Sequence, residues 1–241
     1  MILYNDDCLN VLKGLEDNSI DLILQDPPYN TTACKWEWDI MTKIEEFWKE
    51  WNRVIKPNGA IVMFGSEPFS SKLRLSNLKN YKYDWIWDKK IPSGMSYAKY
   101  QPMRRTELIS VFYKGTCNYY PQMVLRDKPI KSGGTNYSDT APHTLPKNFK
   151  KIYTHKNPTN ILEFDKIRKD SLHPTQKPVA LLEYLIKTYT QENETVFDGF
   201  SGSCSTGIAC LNTNRQFIGV ELDEHYYTIG KQRVDEHIKK I

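Results

Sequence analysis

Apolar positions along the chain follow two different periods. Short aliphatic and β-branched runs recur at Ile20-Asp21-Leu22-Ile23-Leu24, Ala60-Ile61-Val62-Met63-Phe64-Gly65, Glu194-Thr195-Val196-Phe197 and Arg215-Gln216-Phe217-Ile218-Gly219-Val220. Runs of this length and composition predict buried strands. Met1 to Tyr4, Tyr83 to Asp88 and Thr106 to Tyr113 predict three more. Between the runs, apolar residues take helical spacing: Leu9, Val11, Leu12 and Leu15; Ile40, Ile44, Phe47/Trp48, Trp51 and Ile55; Leu182, Leu185/Ile186 and Tyr189; Val234, Ile238 and Ile241. A further helix is expected over Ser70 to Leu78, and one from Ile208 to Leu211. Strands alternating with helices predict an α/β fold with a mostly parallel sheet. No internal repeat interrupts the alternation.

The breaks matter as much as the runs. Pro57-Asn58-Gly59 is expected to end the second helix, and Asn30 to Asp39 is a polar loop holding Trp36 and Trp38. Pro92 to Arg105 reads as a flexible loop, basic and aromatic. From Lys114 to Asp170 the chain is rich in Lys, Asn, Thr, Tyr, Pro and Gly, with short apolar runs such as Ile161-Leu162. Loops that long are uncommon inside compact domains and are often functional. Order resumes where Thr175 is expected to cap a helix carrying Pro178 in its first turn. Three segments follow: 1–115, an insertion over 116–170, and 171–241.

Composition narrows the classes. Of 241 residues, 39% are hydrophobic and 26% charged, a globular balance. No apolar run is long enough for a membrane helix, and Met1-Ile2-Leu3-Tyr4 passes straight to Asp6-Asp7 without a secretory core. Five scattered cysteines without a CxxC pair predict neither a disulfide framework nor a metal site. A reducing cytoplasm is the expected compartment. The formal charge is +4 but uneven: residues 117–170 hold ten Lys/Arg against five Asp/Glu, so the remainder carries about −1. A local basic excess suits a polyanionic partner; a solvated basic face is the plain alternative. Lys99, Arg104, Arg105, Lys147, Lys150 and Lys151 are the candidates for such contacts. His143 and His155 in this region are expected at the surface, and Trp85 and Trp87 as packing residues.

Two stretches carry candidate chemistry. Asp26-Pro27-Pro28-Tyr29 follows the run ending at Leu24, so two prolines stop the strand and hold a carboxylate, a carbonyl and an aromatic ring at its carboxyl end. Ligands bind at that edge of open α/β sheets. Asp198 to Gly207 is a Gly/Ser-rich turn between a strand and a helix, which brings backbone N–H groups close to a ligand. Glu221 lies 23 residues after Asp198 at the end of the next strand, the spacing at which an acidic residue takes ribose hydroxyls. No lysine follows the turn in the P-loop position, which argues against a triphosphate.

These motifs together resemble the β-class amino-methylating DNA methyltransferases, in which the catalytic motif precedes the S-adenosylmethionine motif. The resemblance covers Tyr4 to Leu9, Asp26 to Tyr29, Phe64-Gly65-Ser66, His173 to Pro178, Asp198 to Gly207 and Gly219 to Glu221. It implies a doubly wound, seven-stranded, Rossmann-like methyltransferase sheet with circularly permuted motif order, and a target-recognition role for 116–170. It implies S-adenosylmethionine as cofactor, with Asp198 and the backbone of Phe200, Ser201 and Gly202 at its methionine end, and Cys8, Ser203 and Leu222 as further cofactor-binding candidates. Glu221 would take the ribose hydroxyls and Asp7 the adenine amino group, with Thr175, Gln176 and Lys177 bordering the pocket. Two departures bear on cofactor affinity: Gly199 stands where the family usually has Pro, and Cys204 where it has a second Gly.

Double-stranded DNA is the implied partner, with a homodimer and a separately encoded restriction endonuclease as further ones. The expected reaction is methyl transfer to adenine N6. Asp26 and the Pro27 carbonyl would accept the two amine hydrogens and aim the nitrogen lone pair at the methyl, which is orientation and electrostatics. Tyr29 would stack on a base flipped from the duplex. The alternatives are cytosine-N4 methylation, RNA or protein-amide methylation, and an inactive DNA-binding module.

Overall fold

The computed structural model describes residues 1–29, 40–131, 152–167, 172 and 176–240. In chain order the elements are β1 (Ile2–Asn5), α1 (Cys8–Gly14), β2 (Ile20–Gln25), α2 (Ile44–Val54, entered through a 3-10 turn at Ile40–Lys43), β3 (Ile55–Gly65), α3 (Phe69–Ser76), β4 (Tyr81–Ser93), β5 (Arg104–Phe112), β6 (Val124–Lys131), β7 (Ile152–Lys156), β8 (Ile161–Glu163), α4 (Val179–Tyr189), β9 (Thr195–Asp198), α5 (Ser205–Asn212), β10 (Gln216–Glu221) and α6 (Glu224–Ile238).

The main sheet runs β1-β10-β9-β2-β3-β5-β4-β8. Pairings from β1 through β3 are parallel, and β5 runs antiparallel to both β3 and β4. Alternation within the strands separates two cores. Leu22 and Leu24 of β2 pack with Leu181 and Leu185 of α4 and Ile208 of α5 on one face. Ile23 packs with Leu12 of α1, Trp51 of α2 and Leu73 of α3 on the other. Each fully buried aliphatic side chain contributes ~1.5–3 kcal/mol relative to exposure, so a sheet covered on both faces is the favourable arrangement. Trp85 and Trp87 are buried, and their indole N–H groups donate to Tyr189 Oη at 2.6 Å and to the Phe164 carbonyl at 2.8 Å.

The structure refines several expectations. The eighth strand, β8, pairs in parallel with β4 from Ile86↔Ile161 to Asp88↔Glu163. The second helix ends at Val54 rather than at the Pro57 break, because Ile55 already pairs with Ile20. Residues Lys56 to Gly59 then bulge before Leu22 meets Ala60. A Cβ at Gly59 would stand 2.7 Å from the Asp21 carbonyl oxygen, so the close approach requires glycine. The basic aromatic loop is shorter than expected, since β4 continues to Ser93 and β5 starts at Arg104; Gly94 turns the chain with φ of 93°. Pro178 occupies the N-cap of α4 without a side-chain cap, one position earlier than the expected first-turn placement; Thr175 lies outside the described residues.

Two units are distinguished, Met1–Tyr120 with Asn160–Ile241, and Pro121–Thr159. The second contains the antiparallel pair β6 and β7, in register from Val124↔Lys156 to Lys131↔Ile152 with a bulge between. Segment 116–170 is thereby divided. Its two ends belong to the first unit, where β8 extends the main sheet.

Candidate active site

Topology places the site. From β2 the chain crosses through α2 to β3 on one side, whereas β9 crosses through α5 to β10 on the other, so β2 and β9 flank the point where strand order reverses. Crevices open at the carboxyl ends of strands at such a point. Because β1, β10, β9 and β2 are parallel, their carboxyl ends deliver Asp7, Glu221, Asp198 and Asp26 along one edge. All four line a cavity of about 460 Å³. Pro27, Pro28, Tyr29, Cys8, Gln176, Lys177, Phe200, Ser201, Gly202, Ser203 and Leu222 line it too, so every described residue expected at the catalytic or cofactor site meets there.

At the β2 end, Asp26 is held on both oxygens. Tyr29 Oη donates to its Oδ1, and Lys177 Nζ donates to Oδ2 at 2.6 Å. The same ammonium lies 2.9 Å from Glu107 Oε1 of β5, and Lys89 Nζ of β4 lies 3.7 Å from Glu107 Oε2. Burial pushes the Asp26 carboxyl up, Lys177 pulls it down, and Glu107 pushes it up again, with a raised value as the outcome. Burial works against the Lys177 charge, but Asp26 and Glu107 more than compensate and hold the ammonium above its ordinary range. Burial and then the two carboxylates push the Tyr29 phenol well up, so it stays protonated. The Tyr29 ring packs on Phe69 with centroids 4.9 Å apart.

At the β9 end, Asp198 is 3% exposed. Its Oδ2 accepts from Thr206 Oγ1 at 2.6 Å and its Oδ1 from the Phe200 N–H at 3.0 Å. Burial nevertheless raises the carboxyl to about 7. Glu221 Oε2 accepts from the Gly202 N–H at 2.7 Å and Oε1 from the Asp223 N–H at 2.9 Å, which ties the turn to the end of β10; burial raises this carboxyl as well. Asp7 caps α1 by accepting from the Leu9 N–H at 2.8 Å. The turn serines serve the turn itself: Ser201 Oγ donates to the Val220 carbonyl at 3.1 Å, and the Ser203 carbonyl accepts from Arg233 at 2.8 Å.

Both departures at the turn have physical partners. A Cβ on residue 199 would overlap Cys8 Sγ, and the Gly199 N–H points to Gln25 Oε1 at 3.4 Å, a contact proline could not make. Cys204 takes the left-handed conformation, φ 58°, where glycine costs least. Its thiol fills the space beside Gly207 and is fully buried; burial pushes it up to about 12, so it is packing rather than chemistry.

An acceptor-rich, partly apolar pocket of this kind fits a cationic ligand bearing a diol. Carboxylates of Asp7, Asp198 and Glu221 face it together with Leu9, Phe47 and Phe200, while Lys177 is already neutralised by Asp26 and Glu107. Among the described residues no cluster is arranged to hold a metal ion.

Of the expected DNA contacts, Lys99 and Arg104 are exposed and Arg105 pairs with Asp88 at 2.6 Å. Lys147, Lys150 and Lys151 lie outside the described residues, as do Trp36, Trp38 and His143. Sequence reasoning missed Glu107, Lys89 and Arg233. A signal for the first two existed: Glu107 is next in the alternation after Val111 and Ile109, and Lys89 next after Trp85 and Trp87, so both continue buried rows.

A family model described as DNA methylase matches residues 20–232. Among curated proteins, the chain is similar to the Type II methyltransferase M.HpaI of Haemophilus parainfluenzae, with 29% identity over 244 residues, 94% of this chain and 72% of that protein. It is similar to DNA adenine methyltransferase YhdJ of Escherichia coli (strain K12), with 29% identity over 248 residues, 97% and 82% of the two chains. Among solved structures it is similar to the M1.HpyAVI–SAM complex, with 26% identity, a TM-score of 0.65, and 97% and 98% coverage. In fold alone it is similar to PvuII DNA methyltransferase (cytosine-N4-specific), with 16% identity, a TM-score of 0.68, and 99% and 91% coverage.

Proposed function

The chain belongs to the DNA methylase family, and from that membership we propose a site-specific enzyme that methylates adenine N6 in duplex DNA, using S-adenosylmethionine. The observation that carries the reading is the meeting of Asp26-Pro27-Pro28-Tyr29 with Asp198 and Glu221 in one cavity at the strand-order reversal. When bound, S-adenosylmethionine supplies an electrophilic methyl on a sulfonium. Asp198, Glu221 and Asp7 supply the acceptors for its polar groups, and Phe47 and Phe200 supply apolar walls. The M1.HpyAVI–SAM complex supports that identity.

The target base enters flipped out, because its amine is otherwise inside the stack. Asp26 and the Pro27 carbonyl accept the amine hydrogens and orient the nitrogen; Lys177 works against burial in favour of the Asp26 carboxylate, and the Tyr29 ring stacks on the base. Such preorganised acceptors act most strongly where water is excluded. Exposed Lys99 and Arg104, together with basic residues of 116–170, form the phosphate contacts. A role in target recognition for 116–170, a homodimer, and a separately encoded restriction endonuclease belong to the same reading; the Type II name of M.HpaI supports the last. A DNA substrate and the bacterial sources of M.HpaI and YhdJ support the cytoplasm of a prokaryotic or phage-type host. Adenine is favoured by Asp rather than Ser at position 26 and by the name of YhdJ. The order of motifs favours DNA over RNA or protein amides.

Nucleoside mass analysis of DNA methylated by the purified protein tests the reading. N6-methyladenine is expected. N4-methylcytosine would replace the base assignment, and an unmodified digest from folded protein with cofactor would refute the enzyme.

A further inference from the structure

Asp26 is occupied before any base arrives. One oxygen takes the Tyr29 hydroxyl and the other the Lys177 ammonium. A carboxylate that is to accept an amine hydrogen must give up or weaken one of these bonds, and a buried hydroxyl released without a new acceptor is costly. The structure holds one such acceptor ready. Glu107 Oε1 lies 3.4 Å from Tyr29 Oη. Lys177 bridges the two carboxylates at 2.6 and 2.9 Å, which fixes the Glu107 oxygen in place. Lys89 stands at its far oxygen at 3.7 Å. Two carboxylates and two ammonium groups thus share a neutral cluster, although Glu107 itself does not line the cavity.

We propose that Glu107 is a positioning residue for Asp26, receiving the Tyr29 hydroxyl as the target base enters, so that one Asp26 oxygen is released to the amine. The proposal rests on the methyltransferase reading and adds to it a residue that touches neither base nor cofactor. The phenol proton rotates from one carboxylate toward the other, and closing the 3.4 Å separation to an ordinary O–H···O distance asks for a movement of about 0.6–0.7 Å. Lys177 keeps its bonds to both carboxylates throughout. A neutral amide at 107 is a weaker acceptor, since bonds to an ionised partner are roughly twice as strong as neutral ones. The Tyr29 hydroxyl then stays on Asp26, and the acceptor is blocked.

Single-turnover methyl transfer, at saturating DNA and cofactor, is measured for the wild type, Glu107→Gln, Tyr29→Phe and the double variant. Glu107→Gln is expected to slow transfer about tenfold, within the range of coupling between groups in one network, while cofactor affinity changes less than about twofold. In the Tyr29→Phe background, where no hydroxyl competes for Asp26, the same change is expected to cost less than about threefold. An equal loss in both backgrounds, or no loss in either, overturns the proposal, because a carboxylate that merely balances Lys177 and Lys89 acts independently of the phenol oxygen. If thermal unfolding shows that Glu107→Gln does not fold, Glu107→Asp replaces it in the same cycle; it keeps the charge but withdraws the oxygen from Tyr29. Asp26→Ala is assayed alongside: its full activity would remove the underlying reading, whereas its inactivity with an additive Glu107 cycle removes the proposal alone.

Discussion

Asp198 lines the cavity as a buried carboxylate, and if it meets the cationic cofactor as proposed, its protonation couples to binding. Burial holds the group at about 7, so in the free protein it is neutral below that pH and charged above it. A sulfonium and an ammonium interact with the charged form. Affinity for S-adenosylmethionine is therefore level above pH 7 and weakens as pH falls, by about tenfold between pH 8 and pH 6 through the linkage of one proton. Asp198→Asn keeps a partner for Thr206 but removes the charge, and is expected to bind more weakly with a flatter pH profile over the same range. Calorimetric titration at both pH values checks this; equal slopes in the two proteins would detach Asp198 from the cofactor. At this scale Asp26, Asp198 and Glu221 were legible in the sequence because each sits at the end of an apolar run with a proline, a glycine-rich turn or a fixed spacing beside it. The burial of Glu107 was legible in the alternation of β5 but its role was not, since Lys89 reaches it through the pairing of β4 with β5 and Lys177 from the distant segment before α4.

Elements explain why the Gly/Ser turn after β9 can depart from the family pattern. The start of α1 inserts Cys8 against the turn after β9, and the absence of a side chain at 199 makes room for its sulfur. Gly199→Ala is accordingly expected to destabilise the fold by ~1–3 kcal/mol through overpacking, and Cys8→Ala in the same chain to restore a good part of that. Denaturant unfolding of the two singles and the double checks the coupling; additive losses would mean that the two elements do not share the space. The strands and helices themselves follow from periodicity, and their ends less so. The β3 start at Ile55 depends on Gly59 passing the Asp21 carbonyl and on Lys56 donating to both Asp21 oxygens at 2.8 Å, contacts that no local pattern announces. The strand β8 is three residues long, too short for alternation to register, and is recruited by its pairing with β4.

For the molecule as a whole, charge is unevenly divided along the chain. The cavity edge gathers carboxylates, while segment 117–170 carries ten basic residues against five acidic. A phosphate-contacting surface releases counterions, so DNA affinity falls steeply with salt, by a slope of roughly 0.9 per contact. Replacing Lys147, Lys150 and Lys151 by neutral residues is expected to flatten the slope by up to about three contacts' worth and to leave cofactor affinity intact. An unchanged slope would make that segment a solvated surface.

Asp26, the carboxylate at the strand-order reversal, lines the cavity and is held by Tyr29 and Lys177. Methyl transfer by Asp26→Ala, measured beside its binding of S-adenosylmethionine and DNA, tests the assignment of that carboxylate as acceptor most directly. Loss of one preorganised acceptor is expected to lower the transfer rate by ~10²–10³-fold or more, with both binding steps retained. Near-normal turnover in this variant would contradict the account.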